Sequence, residues 1–111
     1  MLITTSGLEE KLFKGNDSEK LAILITFPPH DNRDIDWNAF NKALKRVSLW
    51  LSEEPEKIDF HPLTNILHLK ATVKFIKLFI QEPIFTLFQA IAELDYQKAE
   101  AQKEKRRRRA S

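Results

Sequence analysis

The chain has 111 residues and a mass of 13.0 kDa, with no Cys, two Gly and a formal net charge of +2. That is the length of one domain, long enough to bury a core without disulfides or a structural metal. The absence of Cys excludes thiolate metal sites and a cysteine nucleophile, and Gly7 and Gly15 alone cannot spell a glycine-rich phosphate-binding loop.

Residues 6–14 read as a short helix. Ser6 and Glu9 match a capping box, Leu8, Leu12 and Phe13 give it an apolar edge, and Gly15 stands where a helix ends. Residues 18–27 admit two readings. Asp17 or Ser18 could cap a helix, while the β-branched run Leu21 to Phe27 suits a buried strand with Leu2 to Thr5 as partner. The helix is favoured, because a strand has only that one segment to pair with. Pro28 and Pro29 end the element either way, and 28–33 is a loop.

Residues 35–53 are the clearest helix. Asp34 or Asp36 caps it, and Trp37, Phe40, Leu44, Val47 and Leu51 recur at spacings of three and four, with Trp50 flanking that stripe. Pro55 bounds the end. Residues 62–80 read as a second long helix opening at Pro62, with Ile66, Leu69, Val73, Ile76 and Ile80 as its stripe. Phe75, Leu78 and Phe79 spread apolar character further round, leaving one polar strip of Lys70, Lys74, Lys77 and Gln81. Residues 83–105 read as a last helix with Ile84, Leu87, Phe88, Ile91 and Leu94 inward. Beyond Tyr96 only Ala is apolar, so this helix is expected to leave the body and end in Arg106 to Arg109.

The predicted fold class is therefore all-α, a small helical bundle with a long C-terminal helix, the strand near 21–27 standing as the alternative. It forms one domain: short elements over 1–30 packed on the bundle, a core over 31–96 and a basic extension over 97–111. No basic region followed by an apolar run opens the chain, and 63–94 is interrupted by Lys70, Lys74, Lys77 and Glu82. Neither a secretory signal nor a membrane span is expected, and a cytoplasmic location is the default.

The small net charge hides a division. Residues 97–111 hold seven Lys and Arg against two Glu, whereas residues 1–36 hold four against seven Asp and Glu. Three cationic groups stand out: Lys105, Arg106, Arg107, Arg108 and Arg109; the strip Lys70, Lys74 and Lys77; and Lys42, Lys45 and Arg46 on the outer face of the first long helix. Adjacent cations repel unless a polyanion compensates them, and phosphate contacts with counterion release are the usual compensation. Each group also has an ordinary reading: a solubilising tail or import signal, lysines snorkelling from a buried helix, and a solvated helix face. Leu49 falls within the third group and could mark a docking surface.

The histidines offer little chemistry. His68 lies on the apolar arc of the 62–80 helix, which favours a core role; His61 precedes Pro62, and His30 lies in a loop. No spacing on a helix suits a metal, and no cofactor is expected. Asp95 falls within the inward face of the last helix and reads as a structural ion-pair partner. Trp37 is on the core stripe, and Trp50 at its edge is also assigned to packing rather than to base stacking. No nucleophile–base–orienter set is visible, so no enzyme and no small-molecule substrate are expected.

Lys42, Lys45, Arg46, Lys70, Lys74, Lys77 and Lys105 to Arg109 together suggest a protein that lies along a phosphate backbone. In size, helical make-up and these basic faces, the stretch 35–111 resembles the small α-helical subunits of CRISPR effector complexes. That resemblance implies an antiviral role, RNA- or DNA-backbone contact through those residues, and other protein subunits as partners. The expected function is a non-catalytic, sequence-independent nucleic-acid-binding subunit of a ribonucleoprotein assembly, with no membrane contact. The alternative is a protein–protein adaptor with a solubilising basic tail, docking through Leu49 and the acidic N-terminal third.

Overall fold

The computed structural model describes residues 2–28 and 35–95. The chain runs β1 (Leu2–Thr4), α1 (Ser6–Lys14), β2 (Lys20–Thr26), α2 (Trp37–Leu51), β3 (Lys57–His61), β4 (Ile66–Thr72), α3 (Val73–Phe79), a 3-10 turn (Pro83–Thr86) and β5 (Ala90–Leu94). The five strands form one mixed sheet in the order β1-β5-β2-β4-β3, with β1 and β5 parallel and the other pairs antiparallel. The fold is α/β, and the all-α bundle expected from the sequence is corrected. The resemblance to all-helical CRISPR subunits loses its basis in shape, because those are bundles and this chain is built on a sheet.

Three segments account for the correction. Residues 20–26 form a strand rather than a helix, and the partners are β4 and β5 rather than β1. Both lie more than forty residues further along the chain, beyond the reach of any local pattern. In the second segment, the stripe over 62–80 fits two periods at once. Leu67, Leu69 and Ala71 alternate with Ile66, His68, Lys70 and Thr72, which is a strand pattern, while Val73, Phe75, Ile76 and Phe79 are buried together over about two helical turns. The chain switches between the two at Thr72, whose hydroxyl accepts from the Phe75 N–H at 3.3 Å and caps α3. In the third segment, the helix expected from Pro83 is only the four-residue turn Pro83–Thr86. The Ala-containing run Ala90–Leu94 then enters the sheet between β1 and β2 despite a modest intrinsic preference for strand. The remainder of that expected helix, with Tyr96 to Ser111, lies outside the described residues.

Two expected helices are present. α1 has Thr5 rather than Ser6 as N-cap, and Glu9 accepts from the Thr4 hydroxyl at 2.7 Å. It stops at Gly15, where any Cβ would collide with the carbonyl oxygen of Lys11. α2 is capped by Asp36, whose carboxylate accepts from the Ala39 N–H at 3.1 Å. It ends at Ser52 in the left-handed region, φ 51°.

The helices cover one face of the sheet. Leu21, Ile23 and Ile25 of β2, Leu67, Leu69 and Ala71 of β4, and Ala90 and Ala92 of β5 join Leu8, Leu12, Phe40, Leu44, Val47, Phe75, Ile76 and Phe79 in one buried cluster. Cross-strand pairs such as Ile23 with Leu69 and Ile25 with Ala92 set the inward parity. At the α2 end, Phe27, Trp37, Phe40, Phe85 and Phe88 pack as an aromatic group, with ring centroids from 5.1 to 6.3 Å apart. Ile3 and Ile91, opposite each other, point to the other face and are exposed there.

Candidate functional site

α2 places its cations by simple rotation. The buried stripe Phe40, Ala43, Leu44 and Val47 holds the helix to the core, so residues half a turn away face solvent. Lys42, Lys45 and Arg46 are exposed there, and α2 contains no acidic residue. Lys42 and Lys45 form no ion pair among the described residues. Leu49 and Trp50 continue this face and are 81% and 80% exposed. Trp50 is thus corrected from packing residue to surface residue. Trp37 does pack, half-buried with its ring centroid 5.2 Å from that of Phe60.

Trp50 also walls a groove. α3 ends at Phe79, and the chain turns through Gln81 and Glu82 before the 3-10 turn. Between that departure and α2 lies an open groove of about 300 Å³, lined by Arg46, Val47, Trp50, Leu78, Gln81 and Glu82. Arg46 donates from Nε and Nη2 to the two carboxylate oxygens of Glu82, each at 3.4 Å. The Glu82 side chain is only 14% exposed, and that of Arg46 is 57% exposed. No local pattern along the chain points to this groove. The helical reading over 62–80 places Leu78 on that helix with Gln81 in its polar strip and Glu82 on no element, whereas the turn after Phe79 brings Gln81 and Glu82 beside α2. The available hint was the adjacency of Leu49 and Trp50 to three cations.

The second lysine strip is not one row. Lys70 projects from β4 on the open face of the sheet, and Lys74 and Lys77 project from α3. Each meets a carboxylate from another part of the chain: Lys70 Glu56 at 3.7 Å, Lys74 Glu53 at 3.2 Å and Lys77 Asp17 at 3.3 Å. Glu53 also accepts from the Thr72 hydroxyl. That hydrogen bond first, and the charges of Lys74 and Lys20 after it, hold its carboxyl below the ordinary glutamate range. Glu56 bridges Lys70 and Lys20. These lysines are fasteners between elements. The third group, Lys105 to Arg109, lies outside the described residues, as does His30.

His68 is half-buried on the open sheet face rather than in the core, opposite Asp59. Its ring meets that of His61 edge-on at 4.7 Å. Among the described residues no group of three or more His, Asp or Glu is arranged to hold a metal ion. Asp95 directly follows β5 and is buried, its N–H donating to the Ala22 carbonyl at 2.9 Å. No helix among the described residues is long and apolar enough to cross a membrane. Comparison with protein-family models, with curated proteins and with solved structures gives no match to this chain.

Proposed function

We propose that the chain is a non-catalytic docking module that binds an acidic amphipathic helix of a partner protein through the α2 face. The observation that carries this is the pair Leu49 and Trp50, 81% and 80% exposed on a helix whose opposite side is locked into the core. A Trp that could bury roughly 150–250 Å² stands in water on a rigid support. Interface anchors have this composition, with aromatic residues and Arg enriched at the points of highest binding energy. The partner's charge follows from Lys42 and Lys45, which lack carboxylate partners among the described residues, on a helix without any acid. Acidic residues flanking an apolar stripe would complement that pattern and speed association.

The test uses a Glu-rich amphipathic peptide with Leu at i, i+4 and i+7. In a Trp37→Phe background Trp50 is the only tryptophan, so its emission reports directly on the face. Binding should shift that emission to the blue, and Trp50→Ala in the native background should weaken the peptide on the order of tenfold or more. Equal affinity of the wild type and Trp50→Ala for the peptide overturns the proposal. So does a face that ignores the peptide and binds a single-stranded oligonucleotide through Trp50 instead.

A further inference from the structure

We infer that the groove between α2 and the end of α3 is the receptor pocket for one large aliphatic or aromatic side chain of that partner helix. This rests on the docking role above and specifies how the docking is made.

The argument begins with the size of the groove. An enclosed apolar cavity of about 150 Å³ holds a benzene molecule. A groove of about 300 Å³ therefore accepts one Leu, Met or Phe side chain with part of the backbone that carries it. Its apolar lining comes from Val47, which is buried, and Leu78, which is half-buried, with the exposed indole of Trp50 as a wall. A side chain entering there would cover the Trp50 face and exclude water from both.

The polar end of the groove is equally specific. Glu82 is largely buried and takes two of the five N–H donors that a guanidinium offers, which holds Arg46 in one orientation at the rim. The remaining donors are left for a carboxylate of the incoming helix, and an Arg fixed in advance loses less freedom on binding. Lys42 and Lys45 lie on the same side of α2, one turn before Arg46 and Leu49. An anchor flanked by Glu at neighbouring turns matches both the groove and its cationic border.

The test is a double-mutant cycle. Gln81 is exposed and lines the groove, so Gln81→Trp fills the space without altering the core. An unchanged thermal unfolding curve checks that it folds. Each Leu of the peptide is replaced in turn by Ala. On the wild type, one replacement should weaken binding on the order of tenfold or more, and on Gln81→Trp the same replacement should change affinity about twofold or less. Methyl resonances of Val47 and Leu78 in the wild type should move on adding the Leu peptide and stay still with the Ala peptide that lost most affinity. If Gln81→Trp discriminates Leu from Ala as the wild type does, or if those methyls do not move, the pocket assignment falls while the docking role survives. If no peptide binds the wild type at all, the docking role itself falls.

Discussion

α2 and the β4–α3 unit each press a stripe of apolar side chains into the same core, and each carries a short series of lysines outward. On α2 the series stays on one face, and among the described residues its one ion pair joins Arg46 to Glu82. On β4–α3 the break at Thr72 leaves Lys70 on a strand and Lys74 and Lys77 on a helix. There Glu56, Glu53 and Asp17 meet them singly. The difference teaches that a cationic series in sequence becomes a surface only if its element is unbroken. A broken series becomes a set of fasteners. Exposed ion pairs are worth about 0–1 kcal/mol each, so the fasteners position elements more than they stabilise them.

The largest effects should treat the two units alike. Phe40 in α2 and Phe75 in α3 are both fully buried. Replacing either by Ala should cost about 3–5 kcal/mol, read by denaturant unfolding. A much smaller cost at Phe40 would mean that α2 is a peripheral helix, and its outer face would no longer be a rigid docking platform.

The next effects should separate them. Lys42→Glu with Lys45→Glu should leave stability within about 0.5 kcal/mol and weaken the acidic peptide on the order of tenfold. Lys74→Glu with Lys77→Glu should leave peptide affinity unchanged and lower stability, because each places a new negative charge against Glu53 or Asp17. If both double variants weaken the peptide equally, the cations act as a diffuse field, and the contrast between face and fasteners is lost.

A subtler change tests the break itself. In a continuous helix over 62–80, Thr72→Ala would raise stability, since Ala is the better helix former. Here Thr72 caps α3 and holds Glu53, so Thr72→Ala should cost about 1 kcal/mol and Thr72→Ser should recover most of it. The sign of this one substitution decides between the two structures.

That sign also explains what was legible in the sequence. α1 and α2 were legible because their stripes and stops are local, as are the Asp36 cap before Trp37 and the Gly15 stop after Lys14, although the Ser6 cap expected for α1 is replaced by Thr5. β2 was half legible. Its β-branched run was recognised, but its partners β4 and β5 could not be found by looking at neighbours. β4 was hidden because Ile66, Leu69 and Val73 satisfy the helical spacing while Leu67, Leu69 and Ala71 satisfy the strand spacing, and only pairing with Ile25, Ile23 and Leu21 decides between them. β5 was hidden by Ala90 and Ala92, which fit beneath the helices because they are small and would read as helix formers anywhere else. Of the site, Lys42, Lys45, Arg46 and Leu49 were visible as a pattern on one face. The groove was not, because Gln81 and Glu82 reach α2 only through the turn after Phe79.

The smallest effect concerns pH and isolates one fastener. The Glu53 carboxyl is held below its ordinary value by the Thr72 hydroxyl and then by Lys74 and Lys20, so folding favours its ionised form. A depressed carboxyl supplies its full stabilisation above the unfolded value of about 4.3 and loses it as the pH falls through the lower folded value. Glu53→Gln removes this linkage while keeping the side chain's shape. Its cost relative to the wild type should be about 1 kcal/mol or less at pH 7, and should shrink toward zero in the acid range. No such pH-dependent difference should appear in the peptide affinity of the α2 face, because Glu53 lies at the α2–β3 junction and binds β4 and α3 residues, not the groove. Unfolding curves and peptide titrations on the two proteins across that range measure both quantities. A parallel drift in affinity would show that the fastener and the docking face are coupled through the end of α2, and the division between the two units would have to be redrawn there.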